Sequence, residues 1–204
     1  IAKGAGYRLG VGLISLGAQA IHGRDLVHIC QPILLKLCER TGMSAHLGIL
    51  DGCDIVYLSR ETPNTHLVSN VRAGSRLPAH ASSIGRAILA EIGEDDIRAI
   101  CADRVLAQTT DKTPVTLDAI IAQAKADRLA AVAWSEGNFE QGIGSCAAVI
   151  RDHQGLPAGA INVSGPQLAF ANETETGSDK IKTTALTRNS RLNSKETEQL
   201  DFES

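Results

Sequence analysis

The sequence predicts an α+β domain built on a largely antiparallel sheet flanked by helices. Three observations predict it. Apolar residues recur at helical spacing in two N-terminal segments and again past the middle of the chain. The β-prone runs are grouped, three before the central helices and three after them, rather than alternating singly with helices. Two of those runs are joined by Asp51-Gly52-Cys53-Asp54, and Asp-Gly is hairpin chemistry because glycine supplies the positive φ of a tight turn.

The elements follow in order. Residues 9–21 place Leu9, Leu13, Leu16 and Ala20 on one stripe of a glycine-containing helix. Residues 25–40 carry Leu26, Ile29, Cys30, Ile33, Leu34, Leu37 and Cys38 at three-four spacing. Pro32 is expected to kink that helix or restart it, and Gly42 to cap its end. Strands are predicted at 45–50 and 55–59, and a third at about 66–72 where Leu67 and Val71 alternate with polar residues. Helices are predicted at about 83–92 and 94–101, then a loop over 103–115. Thr116 is a natural N-cap for a helix bearing Leu117, Ile120, Ile121 and Ala124. Strands at 129–134 and 145–151, the turn Asp152–Gly155 and a last strand at 157–164 complete the domain. Beyond about residue 171 the chain turns polar, rich in Thr, Ser, Glu and Lys, and reads as a weak helix or a disordered tail.

Composition bounds the function. A chain of 204 residues, 43% hydrophobic but only 3% aromatic, makes one large domain or a domain with appendages, its core aliphatic. A net charge of −3 does not suit a nucleic-acid-binding surface. Cysteines 30, 38, 53, 101 and 146 are odd in number and lack a CxxC pair, the pattern of reduced thiols rather than of a disulfide scaffold. No apolar run approaches the roughly 20 residues needed to span a membrane. The chain opens on Ile1 rather than Met and is read as a fragment or a processed form.

Candidate chemistry gathers around "RLPAHASSIGRAILAEI" (76–92), where the chain enters a helix through serines with His80 just upstream. His80, Ser82, Ser83 and Cys146 could form a base-and-nucleophile set, but no GxSxG elbow is present and no acid partners the histidine. Cys146 sits in an apolar run, as a core cysteine does. His22 and His28 are six apart, and His46, His66, His80 and Cys53 are scattered, so no zinc-ligand spacing occurs and neither a catalytic nor a metal site is assigned. The serines fit two roles, an N-cap or one wall of an anion pocket, since a helix start offers unpaired N–H groups. Asn162 and Ser164, two apart on one strand face, and Ser145 on a neighbouring strand supply further polar groups for a small-ligand pocket.

Four stretches together carry a resemblance: "YRLG" (7–10), "GSRLPAHASSIGRAILA" (74–90), "EGNFEQGIGSCAAVIRD" (136–152) and "AINVSGP" (160–166). Over about residues 7–168 the chain resembles the effector-binding half of IclR-type (isocitrate lyase regulator) transcription factors. The resemblance implies a GAF-like domain over 24–170, preceded over 1–23 by the end of a wing and a linker helix, with the polar tail at 171–204. It implies a cytoplasmic transcription regulator that needs no cofactor and is not an enzyme. Its partners would be a small organic acid, operator DNA through a winged helix-turn-helix upstream of this chain, and further copies in a homodimer or tetramer. The pocket carried over by these motifs comprises Ser69, Leu77, Ser83, Ile84, Ser135, Ile143, Ser145, Asn162 and Ser164.

The chain departs from the family pattern in places. Members that bind short keto acids have an acidic residue at Ser135, a cysteine at Ser145 and a serine at Asn162, so the particular effector is not inherited. Trp134 stands at the entrance of the 134–143 segment, where it could stack on a ring or join the core. The tail lacks the amphipathic stripe with which the family's domain ends. The alternative function is a GAF-like thiol redox enzyme using Cys146 or Cys53, which requires an accessible thiol of low pKa.

Overall fold

Two helices, α1 (Val11–His22) and α2 (Asp25–Thr41), lead into the hairpin β1 (Ser44–Asp51) and β2 (Asp54–Glu61). A short strand β3 (Arg76–Pro78) precedes the helices α3 (Ser83–Leu89), α4 (Glu94–Cys101) and α5 (Leu117–Ala130). The strands β4 (Ala133–Glu136), β5 (Ile143–Arg151) and β6 (Pro157–Pro166) follow, and then a short α6 (Gln167–Ala171). The computed structural model describes residues 10–22, 25–63 and 71–171. The strands form one sheet in the order β3-β2-β1-β6-β5-β4, every neighbouring pair antiparallel. The predicted α+β class with a largely antiparallel sheet is the observed one.

The hairpin is the predicted one, with Asp51 paired to Asp54 and Gly52 at φ 61°. Pro32 does not restart α2, which is continuous from Asp25 to Thr41. The strand predicted at 129–134 starts later, at Ala133, because α5 continues to Ala130 and stops where Ala131 turns left-handed at φ 59°. Leu129, counted into that strand as an apolar residue, is an exposed helix residue at 91%. The third predicted strand, at 66–72, falls mostly outside the described residues, as do the tail beyond 171 and most of the wing motif at 7–10. On its other edge from β1, β2 pairs with β3, with Leu77 opposite Ile55.

Side chains alternate across the sheet, and each face has its own core. The lower face takes Ala45, Leu47, Leu58, Cys146, Ala148, Ile161 and Val163 against Cys30, Leu34 and Leu37 of α2. The upper face takes Ile55, Ala147, Val149 and Ala160 against Ile84, Ile88 and Leu89 of α3, with α4 and α5 stacked above. A register shift between Leu47 and Gly48 puts two consecutive β2 residues, Leu58 and Ser59, toward α2, and leaves Tyr57 and Arg60 on the α3 side.

Two contacts seat α3, and a disulfide ties the hairpin turn to α4. A Cβ on Gly85 would lie 2.2 Å from the Ala79 carbonyl oxygen, so only glycine lets the helix start this close to the preceding turn. Arg86 and Asp127 of α5 are each almost fully buried, and the guanidinium Nε and Nη2 donate to the two carboxylate oxygens at 2.9 and 2.7 Å. Gln123 donates to the same carboxylate at 3.0 Å. Cys53 in the hairpin turn is joined to Cys101 at the end of α4, with Cα atoms 5.4 Å apart. That disulfide corrects the expectation of reduced thiols: the two are 48 residues apart in sequence, a pairing that only the fold brings together.

Removing one partner of a buried pair strands the other charge. Arg86→Met is therefore expected to cost about 3–5 kcal/mol of unfolding free energy in urea titration. Arg76→Met, which removes the exposed pair with Asp51, is expected to leave the midpoint nearly unchanged.

Candidate functional site

Pleating and register assemble a polar patch at one end of the upper face. Ser44 pairs with Ser164, Ser164 with Ser145, and Ser145 with Ser135, so four serines form a row across β1, β6, β5 and β4. The next row is His46, Asn162, Ala147 and Ala133, and the one after it is Gly48, Ala160 and Val149. The face thus grades from polar to apolar, and α3 lies over the apolar part. Where α3 begins, its first turn stands over the polar rows and a cavity opens between them. It holds about 440 Å³ of empty space, its open mouth included.

Seven of the nine residues expected in a pocket line this cavity: Leu77, Ser83, Ser135, Ile143, Ser145, Asn162 and Ser164. Ile84 does not. Its side chain is fully buried in the upper core beneath α3. Ser69 lies outside the described residues. The cavity is also lined by Ser82, one of the two serines of the helix start, and by His46, Tyr57, Val71, Phe139 and the exposed Glu140, which were not expected there. Strand alternation over 45–50 separates His46 from Ala45 and Leu47, but only its pairing with Asn162 places it in the cavity. Tyr57 shares the face of Ile55 by plain alternation, and its place in the cavity follows from pairing with Gly48.

The two serines of the helix start divide the roles between which the sequence left a choice. Ser82 is the N-cap, its Oγ accepting from the Gly85 N–H at 3.1 Å. Ser83 faces the cavity, and its Oγ accepts from Ser145 Oγ at 2.9 Å and from Asn162 Nδ2 at 3.1 Å. Asn162 Oδ1 is 2.9 Å from His46 Nδ1. Because the Asn162 amide nitrogen is directed at Ser83, its oxygen accepts, and the proton of the imidazole is on Nδ1. The hydrogen-bond path therefore runs from His46 through Asn162 to Ser83, where Ser145 joins it. The Ser164 hydroxyl and His46 Nε2 are buried and have no protein partner.

Burial governs the titration of the site. Desolvation, with a smaller push from the Arg60 charge, lowers the His46 pKa from 6.5 to about 4 against the opposing bond to Asn162. The ring is neutral at pH 7. Burial likewise raises the Tyr57 phenol, so the cavity presents no charge of its own apart from Glu140 at the rim.

Other chemistries find no support here. Cys146 is fully buried in the lower core, on the far side of the sheet from Ser83, and Cys53 is in the disulfide. A thiol enzyme using either therefore lacks an accessible nucleophile. His80 meets the Ala107 carbonyl at 3.2 Å rather than a serine. Trp134 lies on the lower face, edge-on to Phe170 with ring centroids 5.8 Å apart, and does not reach the cavity. Among the described residues no cluster of His, Cys, Asp or Glu could hold a metal ion.

Comparison with known proteins yields one consistent answer. The family described as "Bacterial transcriptional regulator IclR C-terminal" matches residues 18–188. The HTH-type transcriptional regulator XynR of Escherichia coli is 31% identical over 161 residues, which cover 78% of this chain and 63% of XynR. The chain thus spans somewhat less than two thirds of that relative. Among solved structures, the Thermotoga maritima IclR superposes with a TM-score of 0.83 at 24% identity, covering 90% of this chain and 75% of that one. An IclR homolog of Microbacterium hydrocarbonoxydans, crystallised with 4-hydroxybenzoate, has a TM-score of 0.78 at 22% identity, covering 92% and 76%. The relatives are transcriptional regulators, not enzymes.

The depressed His46 pKa has a consequence for stability with a definite sign. Below pH 6.5 the unfolded histidine takes up a proton that the folded one refuses until about pH 4, so stability falls as pH drops through that window. The gap corresponds to about 3 kcal/mol. Urea midpoints at pH 7 and pH 4.5 are expected to differ markedly in the native chain and less in His46→Gln. The remaining slope would come in part from His80, whose pKa burial also lowers.

Proposed function

The chain belongs to the IclR family of bacterial transcriptional regulators, and on that premise we propose that it is the effector-sensing part of such a regulator. The observation that carries the reading is the cavity under the first turn of α3. It is lined by both apolar and hydrogen-bonding side chains, and it offers hydroxyl protons without a protein acceptor. Ser83 Oγ already accepts two hydrogen bonds, so its own proton is left to donate, and the Ser164 hydroxyl has no partner. Donors of this kind suit the oxygens of a carboxylate, and neutral donors need no charge desolvated before binding. We read the effector as a small organic acid, held by Ser83 and Ser164 with Ser135, Ser145 and Asn162 around them, and by Leu77 and Ile143 on its apolar side. Ser69 belongs to the same proposal.

Sensing must be coupled to output. The linker helix α1 exposes Leu13 and Leu16, neighbours one turn apart on one face, an apolar pair that suits a second copy better than water. We therefore place the chain in a homodimer or tetramer whose geometry the acid biases, with operator DNA bound by a winged helix-turn-helix upstream. Residues 1–23 would be the linker to it, and 24–170 the sensing domain. The work of such a regulator is cytoplasmic. Among the described residues no helix is long and apolar enough to cross a membrane.

A thermal-shift screen of the chain against small organic acids tests the sensing role, because a ligand that binds only the folded state must raise the melting temperature. Ser164→Ala is the informative variant, since its hydroxyl has no protein partner to strand. It is expected to melt as the native chain does and to bind the identified acid about ten- to a hundredfold more weakly, the worth of one hydrogen bond to a charged ligand. Asn162→Leu is expected to lose affinity and stability together, because it breaks the contacts to both His46 and Ser83. Sedimentation at tens of micromolar tests the assembly, and a clean monomer would count against it.

A further inference from the structure

His46 is 1% exposed, lines the cavity and spends its Nδ1 proton on Asn162 at 2.9 Å. Its other nitrogen, Nε2, is buried with no hydrogen-bond partner. With the proton on Nδ1, Nε2 carries a bare lone pair, an acceptor with nothing to accept from. The rest of the cavity has the opposite character. Ser164 and Ser83 have protons to give, and the one acidic group, Glu140, stands exposed at the rim. Hydroxyl donors beside a nitrogen that can only accept describe the complement of a molecule that carries acceptors and also a donor. A carboxylate supplies the acceptors but, ionised, has no proton for Nε2.

We propose that His46 is a specificity-determining residue that receives a hydrogen bond from a hydroxyl on the ligand, so that the pocket selects hydroxylated carboxylic acids over the corresponding plain or keto acids. The inference rests on the sensing role proposed above and deepens it. An acid without the hydroxyl still satisfies the two serines but seals Nε2 in without a partner. A site built around a polar contact discriminates strongly against an analogue that leaves the contact empty. The aromatic surroundings fit the same ligand, since the Tyr57 ring stands edge-on to His46 with centroids 5.6 Å apart and Phe139 lines the cavity.

The test uses the 204-residue chain and two probe pairs matched in carbon skeleton, 4-hydroxybenzoate with benzoate and 3-hydroxybutyrate with butyrate, titrated by calorimetry. In at least one pair the hydroxylated member is expected to bind ten- to a hundredfold more tightly. That ratio is expected to shrink toward one in His46→Leu. Because His46→Leu also leaves Asn162 Oδ1 without its donor and could disturb the fold, nitrogen-15 NMR of the histidines in the unmodified protein gives a second reading. Nε2 of His46 is expected to be unprotonated in the unliganded chain, and its resonance to move with the hydroxylated probe and not with its partner. A proton found on Nε2, equal affinities within both pairs, or a ratio that persists in His46→Leu would overturn the assignment while leaving the sensing role standing. If neither member of either pair binds while other acids do, the assignment falls alone. If no acid binds at all, both fall.

Discussion

The position of α3 depends on a salt bridge that water does not reach. Arg86 and Asp127 are buried by the two helices they join, and the fork of the guanidinium meets both carboxylate oxygens at once. Such a pair gives little net stability compared with well-packed apolar residues, because desolvating two charges offsets most of their attraction. Its effect is geometric. A bidentate contact fixes both the rotation of α3 about its axis and its position along α5. Gly85 fixes the third coordinate by allowing the helix start to rest on the Ala79 backbone. The Ser83 hydroxyl stands where it does because these constraints leave its helix no other place.

The sheet beneath converts a simple alternation into a graded surface. Apart from the irregularity at Leu58 and Ser59, alternate residues point downward to α2 and form a core of apolar side chains. The upward residues change character along the strand, from serines at one end to alanine, glycine and valine at the other. A helix can pack closely on the small apolar end, as Ile84 does near Gly48, where an added Cβ would come within 3.1 Å of Ile84 Cγ2. It cannot pack on the polar end without stranding donors. The cavity is the space left where the two requirements part. The hydrogen-bonded network ties Asn162, a cavity-lining residue, into the structure through His46 and Ser83.

The residues legible in the sequence were those whose chemistry is local. Asp51-Gly52 specified the hairpin, Thr116 capped α5 as expected, and the spacing of Asn162 and Ser164 put both on one face. The helical period of Leu34 and Leu37 likewise marked the buried stripe of α2. What stayed hidden depends on contacts far apart along the chain. His46 has no local reason to be a cavity residue. It becomes one by pairing with Asn162, 116 residues later. The ion pair of Arg86 spans 41 residues, and β3 is a three-residue strand too short to show a period. Leu129 misled because an apolar residue ending a helix and one starting a strand look alike in a short run.

The Cys53–Cys101 bond encloses β2, β3, α3 and the whole of α4 in one covalent ring, and so holds together both the floor and the roof of one side of the cavity. The ring persists when the chain unfolds. An oxidised chain begins folding with the ends of that segment already gathered, whereas a reduced chain must bring them together across 48 residues at an entropic cost of about 4 kcal/mol. In a reducing cytoplasm the thiol form is the one that thermodynamics favours. The conformational freedom available to the wall that carries Ser83 would then be set by the redox poise of its surroundings as well as by what occupies the cavity.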